Sequence, residues 1–393
     1  MSKRRRKIRP FVAFLLILFV SFLFFIVIKI AVMDTTLSVL VDFTLPKSTF
    51  TGINYGTNYG QWAVAVNGSV IAKSAENLPN HPTASTAKMI LALAVMKERP
   101  FDLGELGETI TITDEMYDRY VWYINNNGSN TAVARGEEIS EYDALASILM
   151  ASSNNMADSL AIWAFGSIDQ YKNYASRMLK EMGLTHTVIG EDASGYSEST
   201  TSTADELAVL GTKVLAQPVL AQIVGMREYE VPVAGVIHNS NKLLGELGIV
   251  GVKTGYIGDS SGYCLVSGYT IEQSNVVVAL LGAPTREQSF DDSKTLINEL
   301  QSQLISQMVI PDNVAIGFYD SWWTGLIPIT TTEGKKDIVY EELNPYLEMD
   351  EYEGKLIVSS HNSYYEVPVK TEEFQIEPSL WQKLLHVFGW KAE

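Results

Sequence analysis

Six basic residues, Lys3, Arg4, Arg5, Arg6, Lys7 and Arg9, stand directly before an apolar run that carries no charge from Phe11 to Ile28 and resumes after Lys29 at Ile30–Met33. About 20 apolar residues suffice for a helix to span a bilayer, and this run is long enough. A cleavable signal peptide has a shorter apolar core and a small-residue cleavage site, and neither is visible here. A buried core helix does not suit the basic flank. The pattern therefore predicts an uncleaved signal anchor over 11–33, with a cytoplasmic basic tail over 1–10. By the positive-inside rule, residues after about 35 lie outside the cell membrane, as a single-pass protein.

The remaining length of the 393 residues accommodates two domains and a sizeable core, and a hydrophobic content of 46% is that of a folded chain. A formal net charge of −17 argues against a nucleic-acid partner, which needs a basic face. Cys264 is the single cysteine, so the fold is held by its core and not by an internal disulfide.

Residues 34–50 read as a linker. Trp62–Val66 and Val70–Lys73 flank Asn67-Gly68-Ser69, a hairpin signal. Ser85–Arg99 reads as a helix that is apolar nearly all round, hence central to a domain. Ile110–Thr113 reads as a short strand. Helices are predicted at Tyr142–Met150, Asn155–Phe165, Ile168–Met182 and Thr203–Leu215. From Gly248 the pattern changes: Ile249–Tyr256, Gly262–Tyr269 and Asn275–Leu281 are closely spaced strands, and Arg286–Ile305 closes the unit as a helix. This order gives an α/β fold with an antiparallel sheet flanked by helices over 51–308. Pro311 and Asp312 mark a boundary to a small β domain over 309–377. A terminal amphipathic helix over 378–393 carries Leu380, Trp381, Leu384, Leu385, Val387 and Phe388 on one broad face. That face suits either the membrane or its own domain.

Three short motifs carry chemistry: Ser85-Thr86-Ala87-Lys88, Ser152-Ser153-Asn154 and Lys253-Thr254-Gly255. Each recurs by chance often enough to be weak alone, as Ser360-His361-Asn362 shows, and Ser153-Asn154-Asn155 offers a second register for the middle one. Their order and setting make the set informative. A hydroxyl at a helix N-terminus, Ser85, gains free backbone N–H groups and a favourable dipole for an oxyanion. Lys88, three residues on, lies on the same helix face, where burial and a second cation favour its neutral, proton-accepting form. By itself, S-x-x-K is more simply a capped helix with a solvated lysine. Ser152 is placed to pass a proton to a leaving amine and Asn154 to hold Lys88, although a Ser/Asn helix cap explains this motif equally well. Lys253 and Thr254 offer a cation and a hydroxyl to a carboxylate on a strand where Gly255 lets a peptide backbone come close. The backbone N–H of Tyr256 would share the oxyanion with that of Ser85.

Other candidates fare poorly. Gly258–Gly262 matches G-x-S-x-G, but the strand that follows makes it a hairpin turn. The histidines at 81, 186, 238, 361 and 386 have no metal-ligand spacing, and the motif set calls for no cofactor or metal. Cys264 reads as a buried strand residue without basic neighbours.

With these motifs, and with His238–Leu244 leading into Gly251–Tyr256, Gly262–Val266 and Leu281–Pro284, residues 50–305 resemble the serine D-alanyl-D-alanine carboxypeptidases, the low-molecular-mass penicillin-binding proteins. The resemblance implies a β-lactamase/transpeptidase-like domain. Its expected activity is removal of the terminal D-alanine from peptidoglycan pentapeptides, with inhibition by β-lactam antibiotics. It implies Ser85 as acyl-ester nucleophile, Lys88 as proton acceptor, Ser152 and Asn154 as a relay pair, and Lys253 and Thr254 as carboxylate holders. Tyr256 departs from the histidine common in the family, and Arg286 is a further candidate for the terminal carboxylate. A β-lactamase is the nearest rival; Glu191-Asp192 falls in the interval where such enzymes carry a catalytic glutamate, but no E-x-x-L-N pattern is present. A catalytically silent wall-binding protein is the third reading.

Overall fold

Asn67 and Gly68 both take positive φ, 48° and 93°, which is the backbone of a tight hairpin turn. They join strand β1 (Gln61–Val66) to β2 (Ser69–Lys73). The structure, a computed structural model, describes residues 8–36, 38–350 and 352–390, and these divide into two compact units.

In the larger unit (47–307 with 337–342) β1 and β2 form one side of a five-stranded antiparallel sheet. Its helices include α1 (Lys88–Glu98), α2 (Asp114–Asn125), α3 (Glu141–Leu149), α4 (Asn154–Phe165) and α5 (Ala204–Ala216). The sheet is completed by β3 (Gly251–Gly255), β4 (Tyr263–Ile271) and β5 (Ser274–Ala283), in the spatial order β3-β4-β5-β1-β2. Helix α6 (Arg286–Gln303) follows. Side chains alternate across a strand, and β1 shows the consequence. Ala63 and Ala65 pack with Met89–Met96 of α1, while Trp62, Val64 and Val66 pack with Leu296, Ile297 and Leu300 of α6. Both faces of the sheet are thus covered by helices. Each fully buried large aliphatic side chain contributes roughly 1.5–3 kcal/mol, and α1 buries nine consecutive residues. The last strand, β3, is an edge: it pairs with β4 on one side only.

One element begins differently from the sequence reading, and two helices had no assignment there. Ser85 is not the first residue of an α-helix but sits in a 3₁₀ turn, Ala84–Ala87, which runs into α1. Ala84 has φ 47°, so the chain turns sharply before the serine instead of entering through a side-chain cap. The sequence reading assigned no element to α2 or to a helix at Pro218–Gly225. The first is capped by Thr113 and keeps only Met116 and Tyr123 buried, so its apolar periodicity is weak.

The smaller unit contains a six-stranded antiparallel sheet in the order Ser38–Val41, Ala315–Ser321, Gly325–Thr331, Tyr364–Lys370, Glu353–Ser359, Asn344–Asp350. Residues 34–50, read as a linker, therefore contribute an edge strand: Ser38–Val41 satisfy the backbone of Gly317–Asp320. The β-branched Val39 and Val41 fit a pleated surface, and a run of four was too short to stand out. Within this unit lies the helix Ile8–Ala31, with its apolar side chains from Phe11 onward largely exposed. The helix Leu380–Val387 opens with a capping box between Ser379 and Gln382. Phe388 just beyond it meets Phe22 with ring centroids 6.3 Å apart. Trp322 stacks on His386 at 4.2 Å and donates its indole N–H to the Asp34 carbonyl. The basic residues Lys3–Lys7 and the end of the terminal segment, 391–393, lie outside the described residues.

Candidate active site

Ser85 lines an open cavity together with Ser152, Thr254, Tyr256, Tyr263 and Arg286, among others. Lys88, one turn on, is fully buried beneath it. Its Nζ lies 2.8 Å from Ser85 Oγ, 2.8 Å from Asn154 Oδ1 and 2.7 Å from the Ser194 carbonyl oxygen. The amide oxygen and the carbonyl only accept, so a neutral amine at this point donates to those two. Its lone pair is then left facing the Ser85 hydroxyl. Burial pushes the Lys88 pKa down, and nearby Asp192 and Asp158 pull it partly back, leaving it at about 7. An amine with that pKa is neutral often enough at physiological pH to take a proton.

The middle motif sits at the junction between α3 and α4. Ser152 has φ 61°, a left-handed conformation that a non-glycine residue adopts at a cost of order 1–3 kcal/mol. This places its Oγ 3.0 Å from Lys253 Nζ. Asn154, opening α4, turns its Oδ1 to Lys88. The alternative register behaves differently. Ser153 caps α4 by accepting from the Met156 N–H, and Asn155 bonds both backbone groups of Thr131. Ser152 and Asn154 face the cavity, while Ser153 and Asn155 build its support.

On β3, Lys253 is buried and donates to Ser152 Oγ and to the Thr254 carbonyl. Burial first, and then the charge of Lys88, hold its pKa well below the ordinary lysine value. Thr254 Oγ1 shares a 2.7 Å hydrogen bond with Ser240 Oγ. A Cβ on Gly255 would lie 3.0 Å from the Thr83 carbonyl oxygen and 3.1 Å from the Ser85 nitrogen. Glycine is what lets this edge strand approach the Ser85 backbone. Tyr256, the next residue, is half exposed and stacks on Tyr263 with centroids 4.2 Å apart and planes 15° apart. The Arg286 guanidinium stands 5.8 Å from the Tyr263 ring, within cation–π range.

Several site residues carry no motif. Ser194 takes part through its backbone carbonyl, which no side-chain pattern reveals. The loop that presents it is held by Asp192, whose carboxylate accepts from the N–H groups of Ser194, Tyr196 and Ser197. Asp158, on α4, accepts from the Ala193 N–H and from the Tyr123 hydroxyl. Gly195 has φ 71°, and a Cβ there would come within 2.0 Å of the Ala84 carbonyl oxygen, so the loop packs directly on the turn before Ser85. Helical spacing relates Asp158 to Asn154 (i, i+4), a signal that could have flagged it.

The other sequence candidates occupy structural positions. Cys264 is buried, with its thiol pKa pushed up to about 12 by burial. Ser261 closes the 257–262 turn by accepting from the Ile257 N–H and bonding nearby carbonyls. Glu191 lines a separate groove with Glu115, Arg119 and Trp122. Among the described residues, no group of three or more His, Cys, Asp or Glu side chains could hold a metal ion.

The family model described as D-alanyl-D-alanine carboxypeptidase, peptidase S11, matches residues 63–285, more than half of the chain. The chain belongs to this family. Among curated relatives, D-alanyl-D-alanine carboxypeptidase DacC of Escherichia coli is 28% identical over 225 residues, covering 54% of this chain and 54% of that protein. DacF of Bacillus subtilis is 24% identical over 166 residues, 41% of this chain and 42% of that protein. The chain spans about half the length of the curated relatives it matches. A solved D-alanyl-D-alanine carboxypeptidase from Mycobacterium tuberculosis superposes with a TM-score of 0.55 at 25% identity, covering 65% of this chain and 95% of that one. Penicillin-binding protein 5 of Haemophilus influenzae shares the fold at a TM-score of 0.60 and 15% identity, over 82% of this chain and 99% of that one.

Proposed function

We propose that this protein is a serine D-alanyl-D-alanine carboxypeptidase that removes the terminal D-alanine from peptidoglycan stem pentapeptides. One observation carries the reading: buried Lys88 lies 2.8 Å from Ser85 Oγ, and its two other partners accept only, which leaves its lone pair for the serine. Membership of the family supplies the reaction class.

In this reading Ser85 gives its proton to Lys88, and its Oγ adds to the carbonyl carbon of the penultimate D-alanine. The backbone N–H groups of Ser85 and Tyr256 hold the oxyanion; losing such a donor typically costs ~10²–10³ in rate. The tetrahedral intermediate expels D-alanine as its amine, which receives a proton through Ser152. Water then cleaves the Ser85 ester and restores the hydroxyl. Lys253, Thr254 and Gly255 receive the terminal carboxylate and the extended peptide along the free edge of β3, a case of strand addition. β-Lactams mimic the substrate and acylate Ser85.

The proposed organisation is a membrane-spanning anchor at 11–33, a penicillin-binding domain over 51–308, a small β domain over 309–377 and an amphipathic helix over 378–393. The anchor would hold the site on the extracytoplasmic face, where its substrate is found. The amphipathic face of the terminal helix suits an auxiliary seat at the membrane surface.

Two measurements test the reading. The full-length protein should be labelled covalently by penicillin, and Ser85→Ala should abolish labelling; retained labelling would sink the assignment. It should also release D-alanine from diacetyl-Lys-D-Ala-D-Ala. A penicilloyl adduct lasting minutes separates it from a β-lactamase, which would turn penicillin over within seconds. The place of Glu191 in a groove that Ser85 does not line weighs against the rival.

A further inference from the structure

Ser85 stands where two grooves meet. The first runs along β3 past Thr254 and Tyr263, and Arg286 is the one charged side chain lining it among the described residues. Behind its wall lies Lys253. The second shares Ser85, Asn127, Ser129 and Tyr256 with the first and is lined further by Asn154, Tyr196 and Ile257, and there the one charged lining residue among those described is Glu198. The two grooves that meet at Ser85 thus carry opposite charge, Arg286 in the first and Glu198 in the second.

The anionic end is built, not incidental. Glu198 follows the loop that Asp192 fastens through three backbone N–H groups. Its Oε1 accepts from Ser260 Oγ at 2.6 Å, so it reaches across to the turn after β3. Oε2 makes no hydrogen bond among the described residues and remains an open acceptor. Tyr196 fixes the groove beneath: its hydroxyl donates to the Asn126 carbonyl at 2.8 Å, and its ring meets Trp122 and Tyr123 edge-on at 5.8 and 5.5 Å.

Resting on the carboxypeptidase reading, the polarity of the cleft can be matched to a substrate. The terminal carboxylate belongs in the first groove, on the leaving side of the scissile bond. The acyl side of the peptide must then enter the second. Consecutive Cα atoms lie about 3.8 Å apart, so the residue preceding the D-Ala-D-Ala pair falls only one step beyond the acylated alanine. We propose that Glu198 is a specificity-determining residue that reads a free ammonium group on the side chain of that preceding residue. A diamino acid with an unacylated side-chain amine satisfies Oε2. The same amine turned into an amide, as in a cross-linked stem, brings no charge. The site thus favours stems whose side-chain amine is still free.

Glu198 is exposed, so the effect is modest and salt-sensitive. The test compares kcat/KM, by D-alanine release at low ionic strength, for Nα-acetyl-L-Lys-D-Ala-D-Ala and for Nα,Nε-diacetyl-L-Lys-D-Ala-D-Ala, using the full-length protein in detergent. The wild type should prefer the free amine by about two- to fivefold, the range open to an exposed pair. The ratio should fall to about one in Glu198→Gln and invert in Glu198→Lys. A wild-type ratio of one, a preference for the diacetyl peptide, or a preference surviving in Glu198→Gln overturns the proposal while leaving the carboxypeptidase reading standing. If neither peptide releases D-alanine, the carboxypeptidase reading itself fails, and this inference with it.

Discussion

Two buried lysines lie behind the walls of the Ser85 cavity, and their surroundings differ in one respect. Lys88, on the floor beneath Ser85, has two carboxylates behind it, Asp192 and Asp158, which offset part of the cost of burial. Lys253, on the edge strand, has a hydroxyl and a carbonyl for partners and the charge of Lys88 nearby, so nothing offsets its burial. In the proposed mechanism the first amine takes and releases a proton near neutral pH. In the proposed mechanism the second receives an anion: a carboxylate arriving on β3 would supply the charge that its surroundings lack. On the proposed reading, one fold makes a base and an anion receptor from the same side chain by choosing where the carboxylates stand.

The largest effects should separate these roles. Lys88→Met removes the proton acceptor and should slow acylation by penicillin on the order of 10²–10⁴-fold, as stopped-flow or gel-based labelling would show. Lys253→Met should cost less in acylation by a poorly anionic substrate and fall chiefly on KM for the carboxylate-bearing peptide. Equal losses in kcat from the two variants would erase the distinction.

The pH dependence sharpens the same contrast. Lys88 acts when neutral, so kcat/KM should rise with pH through a pKa near 7 and lose about tenfold per unit below it. Asp192→Asn withdraws a negative charge that favours the ammonium form. The Lys88 pKa should therefore fall further, and the acid limb should move to lower pH. A limb that stays in place, or moves up, would show that Asp192 does not tune the base. Lys253 works in the opposite sense: it binds an anion when protonated, so KM for the peptide should rise on the alkaline side.

Much of this was legible from the sequence, and what was not has a physical pattern. Ser85, Lys88, Ser152, Asn154, Lys253 and Thr254 lie in short local motifs, and the structure brings their side chains around one cavity. The five-stranded sheet was visible as three closely spaced apolar strands and a hairpin, because both of its faces are buried. The chance match Ser360-His361-Asn362 belongs to a turn in the other unit, where Ser360 Oγ accepts from the Asn362 and Ser363 N–H groups. The Ser194 carbonyl was invisible because every residue carries one. The edge strand Ser38–Val41 depends on partners about 280 residues away, and no local signal announces that pairing.

Gly195 is the next test, since it joins the tuning loop to the turn before Ser85. Its φ of 71° is open to glycine, and an added Cβ would collide with the Ala84 carbonyl oxygen. Gly195→Ala should lower stability by roughly 1–3 kcal/mol, read as a drop in Tm. It should also slow acylation, because the Ser194 carbonyl retreats from Lys88.

The smallest expected effect concerns the rim on Lys253's side. Tyr256 and Tyr263 stack at 4.2 Å, and Arg286 stands at the Tyr263 ring. An aromatic pair of this kind contributes about 0.5–1.5 kcal/mol beyond its buried area. Tyr263→Leu keeps an apolar side chain but gives up the stack and the guanidinium's aromatic neighbour. If the stack positions the residue whose N–H faces the oxyanion, kcat/KM should fall by about two- to tenfold, with the acid limb near pH 7 unmoved, because no charge near Lys88 has changed. If instead the limb shifts with Tyr263→Leu, the rim and the floor are electrostatically coupled, and the division of labour between the two lysines is not as sharp as their surroundings imply.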